Sequence, residues 1–546
     1  MNEYNKWYQT FKPAKQYEKK VAYFSMEFAI DQALKTYSGG LGFLAGSHMR
    51  SAFELKQNMI GIGMLWRYGY YDQVRKEDRT LEAKFVEKNY PYLVDTGIQV
   101  QISVLDNPNV HVRAYHLKPE IFGTVPMYFL STYVPENDHL SQTITDKLYD
   151  ANDLTRISQS IVLGVGGAKV VEALGGSDIY HLNEGHGLPA FFYLKDQGLG
   201  KENFRFTTHT PEKAGNEERE GDFLNRMGFF GRYLDPSELS QYTVNGGMLN
   251  YTVAALKLSK ISNAVSKLHA KVSKGMWKDF EGVSKIIPIT NAQNQTYWQD
   301  EALKKAADKK DEKSFDKRKH QLKKELFQIV SDQTGKIFDP SVLTVVWARR
   351  FAGYKRADLL LSDLNRFEKI LNKAKYPIQI IWAGKPYPRD FEAIDTFNRL
   401  INFARNKTNV AVLVGYELAL SKSLKLGSDI WLNNPRITRE ASGTSGMTAA
   451  MNGSVNLSTD DGWIPEFAKN GKNCFVLPPA DLALPLAKHD QVDYDNLYDI
   501  LENQVLPLFY DKPANWHKLV FQSMADVLPE FGSNRMADQY YKELYI

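Results

Sequence analysis

Residues 342–361 read VLTVVWARRFAGYKRADLLL, and this stretch decides the predicted fold. An apolar strand is followed at once by a basic turn and then by a helical pattern. Similar apolar runs recur at 378–384, 410–416 and 429–433, with helix-length segments between them. Strands that alternate with helices are typical of βαβ units, so we expect a doubly wound parallel sheet in this half of the chain.

The first half of the chain has the same alternation of apolar runs and helix-length segments. Its runs lie at residues 21–27, 59–65, 98–104, 111–117, 126–132, 178–184 and 204–209. They predict a second Rossmann-like domain, again with a parallel sheet. Because ligands bind at the carboxyl ends of parallel strands, we expect an α/β protein whose two Rossmann-like domains have an active-site cleft between them, the arrangement called GT-B.

These patterns predict three segments. We expect an N-terminal Rossmann-like domain over residues 1–282 and a C-terminal Rossmann-like domain over 283–510. The last segment, 511–546, ends in an amphipathic helical pattern, and we expect its helices to pack back on the N-terminal domain. A charge-dense stretch at 304–324 is interpreted as the solvated face of a helix.

The composition excludes several classes of function. The 546 residues include 68 basic and 64 acidic side chains, and this net charge of +4 is too balanced for a nucleic-acid-binding surface. The single cysteine, Cys474, leaves no intramolecular disulfide and no cysteine-rich metal site. The N-terminus lacks the apolar core of a signal peptide, and no stretch reaches the length of a membrane span. We therefore expect a cytoplasmic protein that contacts no membrane.

Four basic residues follow the strand at 342–348: Arg349, Arg350, Lys355 and Arg356. An arginine can donate bidentate hydrogen bonds to a phosphate, and a lysine provides a compact positive charge. Basic residues at such a junction are often only surface charges. Because these four cluster at the predicted carboxyl end of a strand, we expect an anion site there.

Two further turns, at 38–55 and 440–453, are rich in small residues and lead into helical patterns. The residues concerned are Gly39, Gly40, Gly42, Glu440, Ser442 and Gly443. Backbone N–H groups at such turns suit an anion or sugar hydroxyls, and a carboxylate can bridge two hydroxyls. A plain tight turn explains the first segment equally well, and an N-capped buried helix explains the second.

Two histidines follow apolar strands, His186 in HLNEGHGLPAF (181–191) and His209 in FTTHTP (206–211). A lone histidine is more often structural than functional. We interpret His186 as structural and His209, at a strand end, as the better candidate for catalysis. Their spacing is not that of metal ligands, so we expect no metal site.

A series of blocks occurs in a fixed order between about Val21 and about Trp463. The blocks read YFSMEF, YSGGLGFLAG, HLNEGH, FTTHTP, ARRFAGYKR, IWAGKPYP, WLNNPR and EASGTSGM. Together they resemble the α-glucan phosphorylase family, in its shorter bacterial and archaeal type. The resemblance implies a GT-B fold and the retaining transfer of α-glucosyl units, with the donor or its phosphate bound by the C-terminal domain.

The resemblance also implies roles for single residues. The implied catalytic set is Arg350, Lys355 and His209, of which the first two would hold the substrate phosphate. The residues implied to bind the sugar or the transferred phosphate are Gly39, Gly40, Gly42, Glu440, Ser442 and Gly443. The residues implied to line the cofactor phosphate or a nucleotide are Thr444, Ser445 and Thr448.

The resemblance breaks at residue 448. In the family this position is a lysine that carries pyridoxal phosphate as a Schiff base, and this chain has Thr448. A hydroxyl group cannot form an imine, so covalent attachment at this residue is not possible. Two family histidines are also replaced, one by Asn294 and one within HTPEKAGNEE (209–218).

We therefore expect a retaining α-glucosyl transferase that uses a nucleotide sugar and no covalent pyridoxal phosphate. Related nucleotide-sugar enzymes carry a glutamate for the ribose where this chain has Thr448, whose hydroxyl can still donate a hydrogen bond. Two alternatives stay open: an α-glucan phosphorylase that releases glucose 1-phosphate, with loosely bound pyridoxal phosphate, and a non-catalytic glucan-binding homologue. The expected partners are the sugar donor and an α-glucan or other glucosyl acceptor, and a homodimer is left open.

Overall fold

A computed structural model describes residues 12–105, 107–212, 215–244 and 246–546 of the chain. Residues 1–11, part of the segment expected to lack a signal peptide, lie outside the described residues, as do Lys213 and Ala214 of the stretch after His209. The chain divides into two compact units. The first comprises Met1–Tyr71, Phe85–Asn294 and Ser533–Ile546, and the second comprises Asp72–Lys84 and Gln295–Gly532.

The strands of the described residues are numbered in chain order. They are β1 Val21–Phe24, β2 Met59–Met64, β3 Asp72–Arg75, β4 Leu81–Lys84, β5 Val94–Val104, β6 Asn107–Leu117, β7 Met127–Ser131, β8 Ile179–Asn183, β9 Phe204–Thr208, β10 Glu218–Glu220, β11 Thr243–Val244, β12 Met248–Asn250, β13 Ile261–Ala264, β14 Lys285–Pro288, β15 Leu343–Ala348, β16 Ile378–Ala383, β17 Val410–Leu413, β18 Ile430–Asn433, β19 Val455–Ser458 and β20 Phe475–Val476.

The α-helices are numbered in the same way. They are α1 Gly40–Glu54, α2 Pro119–Phe122, α3 His139–Gln142, α4 Asp153–Ile161, α5 Gly167–Ala173, α6 Pro189–Asp196, α7 Gly221–Met227, α8 Pro236–Ser240, α9 Tyr251–Leu258, α10 Lys267–Trp277, α11 Gln295–Trp298, α12 Glu301–Asp308, α13 Glu312–Thr334, α14 Leu364–Leu371, α15 Phe391–Ala404, α16 Leu418–Gly427, α17 Ser445–Ala450, α18 Ile464–Phe467, α19 Leu486–Ile500, α20 Leu506–Asp511, α21 Pro513–Phe531 and α22 Ser533–Gln539.

The first unit is built on a nine-stranded sheet with the order β14-β13-β9-β8-β1-β2-β7-β6-β5. The strands from β14 to β7 pair in parallel, as the apolar runs predicted. Strands β7, β6 and β5 pair antiparallel, because the link between β5 and β6 is too short for a parallel crossover. From β1 the chain continues to β2 on one side and later returns to β8 on the other, so the topological switch point lies between β1 and β8.

The second unit contains a six-stranded sheet with the order β17-β16-β15-β18-β19-β20, and every pair is parallel. This is the strand order of a doubly wound nucleotide-binding fold, with its switch point between β15 and β18. Strands β15 and β16 are buried along their whole length because helices cover both faces of such a sheet. The parallel doubly wound sheet predicted from 342–361 is confirmed.

The division into units differs from the predicted boundary at residue 283. Strand β14 pairs with β13 in the nine-stranded sheet, so the run at 283–290 belongs to the first unit. The predicted last segment is also split, since α21 lies in the second unit and Ser533–Ile546 in the first. An apolar run in a sequence indicates a buried strand, but it does not indicate which sheet the strand joins.

Two observations concern the helices. The charge-dense stretch at 304–324 falls largely in α12 and α13, so the predicted helix is confirmed, but its face is not fully solvated, because Lys319 and Lys323 are buried. Across the described part of the chain, every helix is too short or too polar to cross a membrane.

Candidate functional site

The switch point of the second unit brings three charged side chains together. Arg349 directly follows β15, Lys355 lies in the turn after it, and Glu440 lies in the loop after β18. The Nζ of Lys355 donates to Glu440 Oε2 at 3.1 Å, and Arg349 Nη1 lies 3.5 Å from the same oxygen. All three side chains are nearly buried. The structure thus joins the predicted anion site to the predicted sugar-binding loop.

The charges in this cluster do not cancel. Burial lowers the pKa of Lys355 to about 7; Glu440 opposes this shift, and Arg349 and Arg350 reinforce it. Burial alone would raise the pKa of the Glu440 carboxyl, but Lys355 and Arg349 outweigh it and lower that pKa. Glu440 is therefore an anion, and it faces the Arg349 guanidinium and the Lys355 amine, which is about half protonated near pH 7. An additional anion is the group that would balance this cluster.

The backbone around Glu440 is held by a second carboxylate. Asp461 Oδ2 accepts the N–H groups of Arg439 and Glu440 at 3.1 and 2.9 Å, and Oδ1 accepts that of Gly462 at 2.9 Å. Gly443 has φ of +80°, and a Cβ there would lie 3.2 Å from Glu440 Cγ. A side chain at residue 443 would be strained and would press on Glu440, so glycine is required.

Several polar atoms at or after the carboxyl ends of β15 and β18 are buried without a hydrogen-bond partner among the described residues. They are Arg349 Nε, Ser442 Oγ and Asn433 Oδ1. An unsatisfied buried polar group costs about 1–3 kcal/mol, so native proteins retain few of them without a function. Arg349 faces Glu440 and Ser442 lies in the same loop, so their unbonded atoms are available to a polar ligand.

The other two predicted basic residues face different surroundings. Arg350 is exposed and bonds to the Tyr354 side chain. Arg356 is buried and structural, because its guanidinium donates to the Asn434 carbonyl at 2.9 Å and pairs with Asp493 at 2.7 Å. Of the four predicted cations, Arg349 and Lys355 therefore contact Glu440, Arg350 is solvent-accessible, and Arg356 supports the fold.

Thr448 is buried and engaged in a hydrogen bond within its own helix. It lies on α17 with 1% of its surface exposed. Its hydroxyl donates to the Ser445 carbonyl at 3.0 Å, within its own helix. Thr444 is half-buried just before α17, and Ser445 Oγ accepts the Trp431 indole N–H at 3.3 Å. Residue 448 therefore offers no amine for the imine that pyridoxal phosphate forms.

In the predicted glycine turn of the first unit, backbone N–H groups donate to a carboxylate of the same unit. Glu27, which follows β1, accepts the N–H groups of Ser38 and Gly39 at 2.6 and 3.0 Å. Its other oxygen accepts the Tyr149 hydroxyl at 2.6 Å. A Cβ on Gly42 would lie 3.0 Å from Glu27 Oε2, so this glycine lets α1 approach the carboxylate. Gly40, by contrast, has open space where a Cβ would stand.

His209 lies at the end of β9, as predicted, and its ring makes an internal hydrogen bond. Its Nε2 donates to Asn183 Oδ1 at 2.6 Å, and its backbone N–H donates to Glu184 Oε2 at 2.8 Å. Burial lowers the pKa of His209 to about 3, so the ring is neutral near pH 7. Glu184 itself has φ of +73°, a strained conformation that is typical of functional sites.

Neighbouring segments hold further polar residues. His186 is half-buried, with its Nδ1 unbonded in the described structure, and Asn294 donates to Glu54 at 3.0 Å. Glu27 and Asp461 were missed, although Glu27 ends an apolar run and so carries the same signal as Arg349. Within the described ranges, no group of three or more histidine, cysteine or acidic side chains has the geometry of a metal site.

Comparison with known proteins relates this sequence to one family. Residues 286–476 match the model of the carbohydrate phosphorylase family. The chain is 33% identical to the maltodextrin phosphorylase of Thermococcus litoralis, over all of this chain and 72% of that protein. It is 30% identical to the glycogen phosphorylase of Aquifex aeolicus, over all of this chain and 88% of that protein. It is 45% identical to an uncharacterized protein of Methanocaldococcus jannaschii, over 96% of this chain and all of that protein. The chain belongs to the carbohydrate phosphorylase family.

Proposed function

We propose that this protein is a retaining α-glucosyl transferase that works without an imine at residue 448 and takes its glucosyl unit from a nucleotide sugar. The observation that carries the proposal is the buried cluster of Arg349, Lys355 and Glu440 at the switch point of the second unit. The Arg349 guanidinium and the protonated form of Lys355, around one carboxylate, leave positive charge for a donor phosphate. The carboxylate and the unbonded Ser442 hydroxyl suit the hydroxyls of a sugar.

In this proposal each residue has one task. Arg350 and Lys355 hold the donor phosphate, with Arg349 beside them, and they stabilise the negative charge that develops as the phosphate leaves. Glu440, Ser442 and the backbone of Gly443 orient the glucosyl ring. Because these groups are already fixed by Asp461 and by the turn, little reorganisation is needed when the donor binds.

The identity of the glucosyl donor is tested by a screen for ligand binding and for reaction products. We expect nucleoside diphosphates and nucleotide sugars to raise the melting temperature, and a nucleotide sugar with an α-glucan acceptor to give a lengthened glucan and free nucleotide. Arg405→Ala, a change of an exposed arginine in the same unit, should respond like the unchanged chain. If no nucleotide raises the melting temperature, the nucleotide-sugar donor is excluded.

A second candidate is phosphorolysis of an α-glucan with release of glucose 1-phosphate. It is favoured by the relatives named maltodextrin phosphorylase and glycogen phosphorylase. The same screen separates the two, because orthophosphate and glucose 1-phosphate would then stabilise the protein and nucleotides would not. Binding of glucans with no donor of either kind would instead indicate a non-catalytic homologue.

The affinity for an anionic donor should depend on pH through Lys355. Its pKa is lowered to about 7 by burial, and only its ammonium form attracts phosphate. As the pH rises above this value, the amine loses its proton, and binding of the anion then requires proton uptake. The affinity should therefore fall by up to about tenfold per pH unit. Titration calorimetry with a nucleoside diphosphate, which is largely ionised above pH 7, measures this loss. Lys355→Arg should flatten the profile, and an equally steep profile in that variant would contradict the assignment.

The remaining assignments stay predictions from the sequence. They include the roles of Gly39, Gly40, Gly42 and His209, the nucleotide contact of Thr444, Ser445 and Thr448, and the active-site cleft between two domains. A cytoplasmic location, a homodimer and the identity of the glucosyl acceptor are also predictions.

A further inference from the structure

The outer edge of strand β17 in the second unit is covered by cationic side chains. Within the described residues β17 pairs with β16 alone, so the carbonyl groups of its other edge have no strand partner. Lys336 Nζ donates to the Val410 carbonyl at 2.6 Å, and Arg75 Nη2 donates to the Val412 carbonyl. These two carbonyls lie about 6.6 Å apart, because each residue of a strand adds about 3.3 Å. The two cationic groups are therefore neighbours along this edge.

Arg79 adds a third cation at the same edge. Its carbonyl accepts Arg75 Nη1 at 3.4 Å, and its own Nη2 donates to the Gln333 carbonyl at 2.7 Å. The Gln333 side chain in turn donates to the carbonyl of Val414, just after β17, at 3.0 Å. Hydrogen bonds thus place Arg75, Arg79 and Lys336 along one short stretch of sheet edge, and we call these three residues the edge cations.

The edge cations contact carbonyl groups and no carboxylate. Burial lowers the pKa of Lys336 to about 8, and the charges of Arg75 and Arg79 reinforce this shift. Burial also lowers the pKa of Arg75 to about 10, and Arg79 reinforces that shift. No carboxylate among the described residues opposes either shift. The three positive charges therefore repel one another without a counter-charge.

Asp78, at the turn between β3 and β4, is engaged elsewhere. Its carboxyl group accepts the Thr80 hydroxyl at 2.5 Å and the Thr80 N–H at 2.9 Å. These hydrogen bonds, and then the charges of Lys76 and Arg405, lower the pKa of Asp78. The carboxylate of this turn is therefore held by its own partners.

Each edge cation keeps a hydrogen-bond donor that the described residues do not accept. Arg75 Nε is buried and has no hydrogen-bond partner among them. Lys336 donates to the carbonyls of Ala404 and Val410, which leaves one N–H of its ammonium group. Arg79 is exposed, and only its Nη2 donates to a described residue. An anion with several oxygens could accept from all three cations.

We propose that Arg75, Arg79 and Lys336 form a binding site for a phosphate group, separate from the proposed donor site. The edge cations lie at β17, two strands away from β15 in the sheet order, whereas Glu440 follows β18 on the other side of β15. Free orthophosphate and an organic phosphate present the same group to this site, and the experiment below distinguishes them. The proposal does not depend on the identity of the glucosyl donor.

A bound phosphate would hold the hairpin of β3 and β4 on the sheet. Arg75 and Arg79 belong to this hairpin, and Lys336 follows α13. The hairpin is already attached by Gln73, whose amide donates to the Gly384 carbonyl at 2.8 Å. A ligand that bridges the hairpin arginines and Lys336 adds a second link. Amide hydrogen exchange within the hairpin should therefore slow when phosphate binds.

The experiment measures hydrogen exchange by mass spectrometry in peptides that cover residues 72–84. The full-length chain is titrated at pH 7 and constant ionic strength with orthophosphate, glucose 1-phosphate or adenosine diphosphate. Protection of these peptides, plotted against ligand concentration, gives the dissociation constant of this site apart from any other phosphate site. The variants are Arg79→Gln and Lys336→Gln. The matched control is Arg399→Gln, because Arg399 is an exposed arginine of the same unit that donates to Asp358 at 2.6 Å.

We expect phosphate to slow exchange at 72–84, and both variants to raise the dissociation constant by about tenfold or more. Arg399→Gln should titrate like the unchanged chain. Tighter binding of glucose 1-phosphate or adenosine diphosphate would identify an organic phosphate as the occupant, and equal or tighter binding of orthophosphate would identify the free ion. Exchange at 72–84 that stays unchanged with all three probes at millimolar concentration would overturn the proposal. So would equal protection in the unchanged chain and both variants.

Folding of the variants is checked by their melting temperatures. Arg79 is exposed, so Arg79→Gln should melt like the unchanged chain. Lys336→Gln keeps an amide donor for the edge carbonyls while it removes the charge. If Lys336→Gln does not fold, the titration of Arg79→Gln decides the proposal, because the Arg79 side chain donates to Gln333 and not to β17.

Discussion

Replacing Glu440 with alanine should lower glucosyl transfer by about 10²–10³-fold and also destabilise the fold. The carboxylate accepts Lys355 Nζ at 3.1 Å and faces Arg349, and all three side chains are nearly buried. Removing one partner from a buried ion pair costs about 3–5 kcal/mol, and we expect the lower end because Lys355 can release its proton. Steady-state kinetics and chemical denaturation measure the two losses.

The matched control is Glu368→Ala. Glu368 pairs with Lys407 at 2.7 Å in the same unit, but half of its side chain is exposed. An exposed pair contributes about 0–1 kcal/mol, so this variant should keep its stability and its turnover. If Glu440→Ala retains both, then Glu440 is neither the sugar ligand nor the counter-charge of the basic cluster.

Replacing Arg350 with alanine should cause a large loss of turnover with little loss of stability, whereas Glu440→Ala should lose both. Arg350 is exposed, so its removal should change the free energy of unfolding by about 0.5 kcal/mol or less. Its proposed contact is with the donor phosphate, where removing one preorganised donor costs about 10²–10³-fold in rate. Kinetics at saturating acceptor, beside a denaturation curve, measure both quantities.

Arg405→Ala provides the control for this second variant, because Arg405 is also exposed and donates to the Asp78 carbonyl at 3.0 Å. Both variants should unfold at the same denaturant concentration as the unchanged chain. Turnover should fall only in Arg350→Ala. Full turnover in that variant would remove Arg350 from the proposed catalytic set, whatever the turnover of Glu440→Ala.

Strand prediction succeeded where hydrophobic pattern and connection length agree. The runs that became β15, β16, β17 and β18 are apolar and are separated by helix-length segments, which are long enough for the crossovers that parallel pairing needs. Strand β19 was not predicted, because the polar side chains of Asn456 and Ser458 interrupt its apolar pattern. Such polar groups can be buried when they form hydrogen bonds. Asn456 Nδ2, for example, donates to the Gly446 carbonyl at 3.0 Å.

Residue roles could be predicted only in part, because they depend on partners far away in sequence. The carboxylate of Glu27 binds Ser38, 11 residues on, and Tyr149, 122 residues on. No local sequence pattern indicates such a partner. The burial of Arg349 and the exposure of its neighbour Arg350 are equally invisible in the sequence, since both are arginines at the end of one strand.

The sequence by itself determined the α/β class, the parallel second sheet, the blocks that mark the family and the absence of an amine at residue 448. These follow from local periodicity and from the chemistry of single side chains. Only the tertiary structure decided that Lys355 and Arg349 pair with Glu440. Such contacts join residues many positions apart, and they exist only when the strand order brings β15 and β18 side by side.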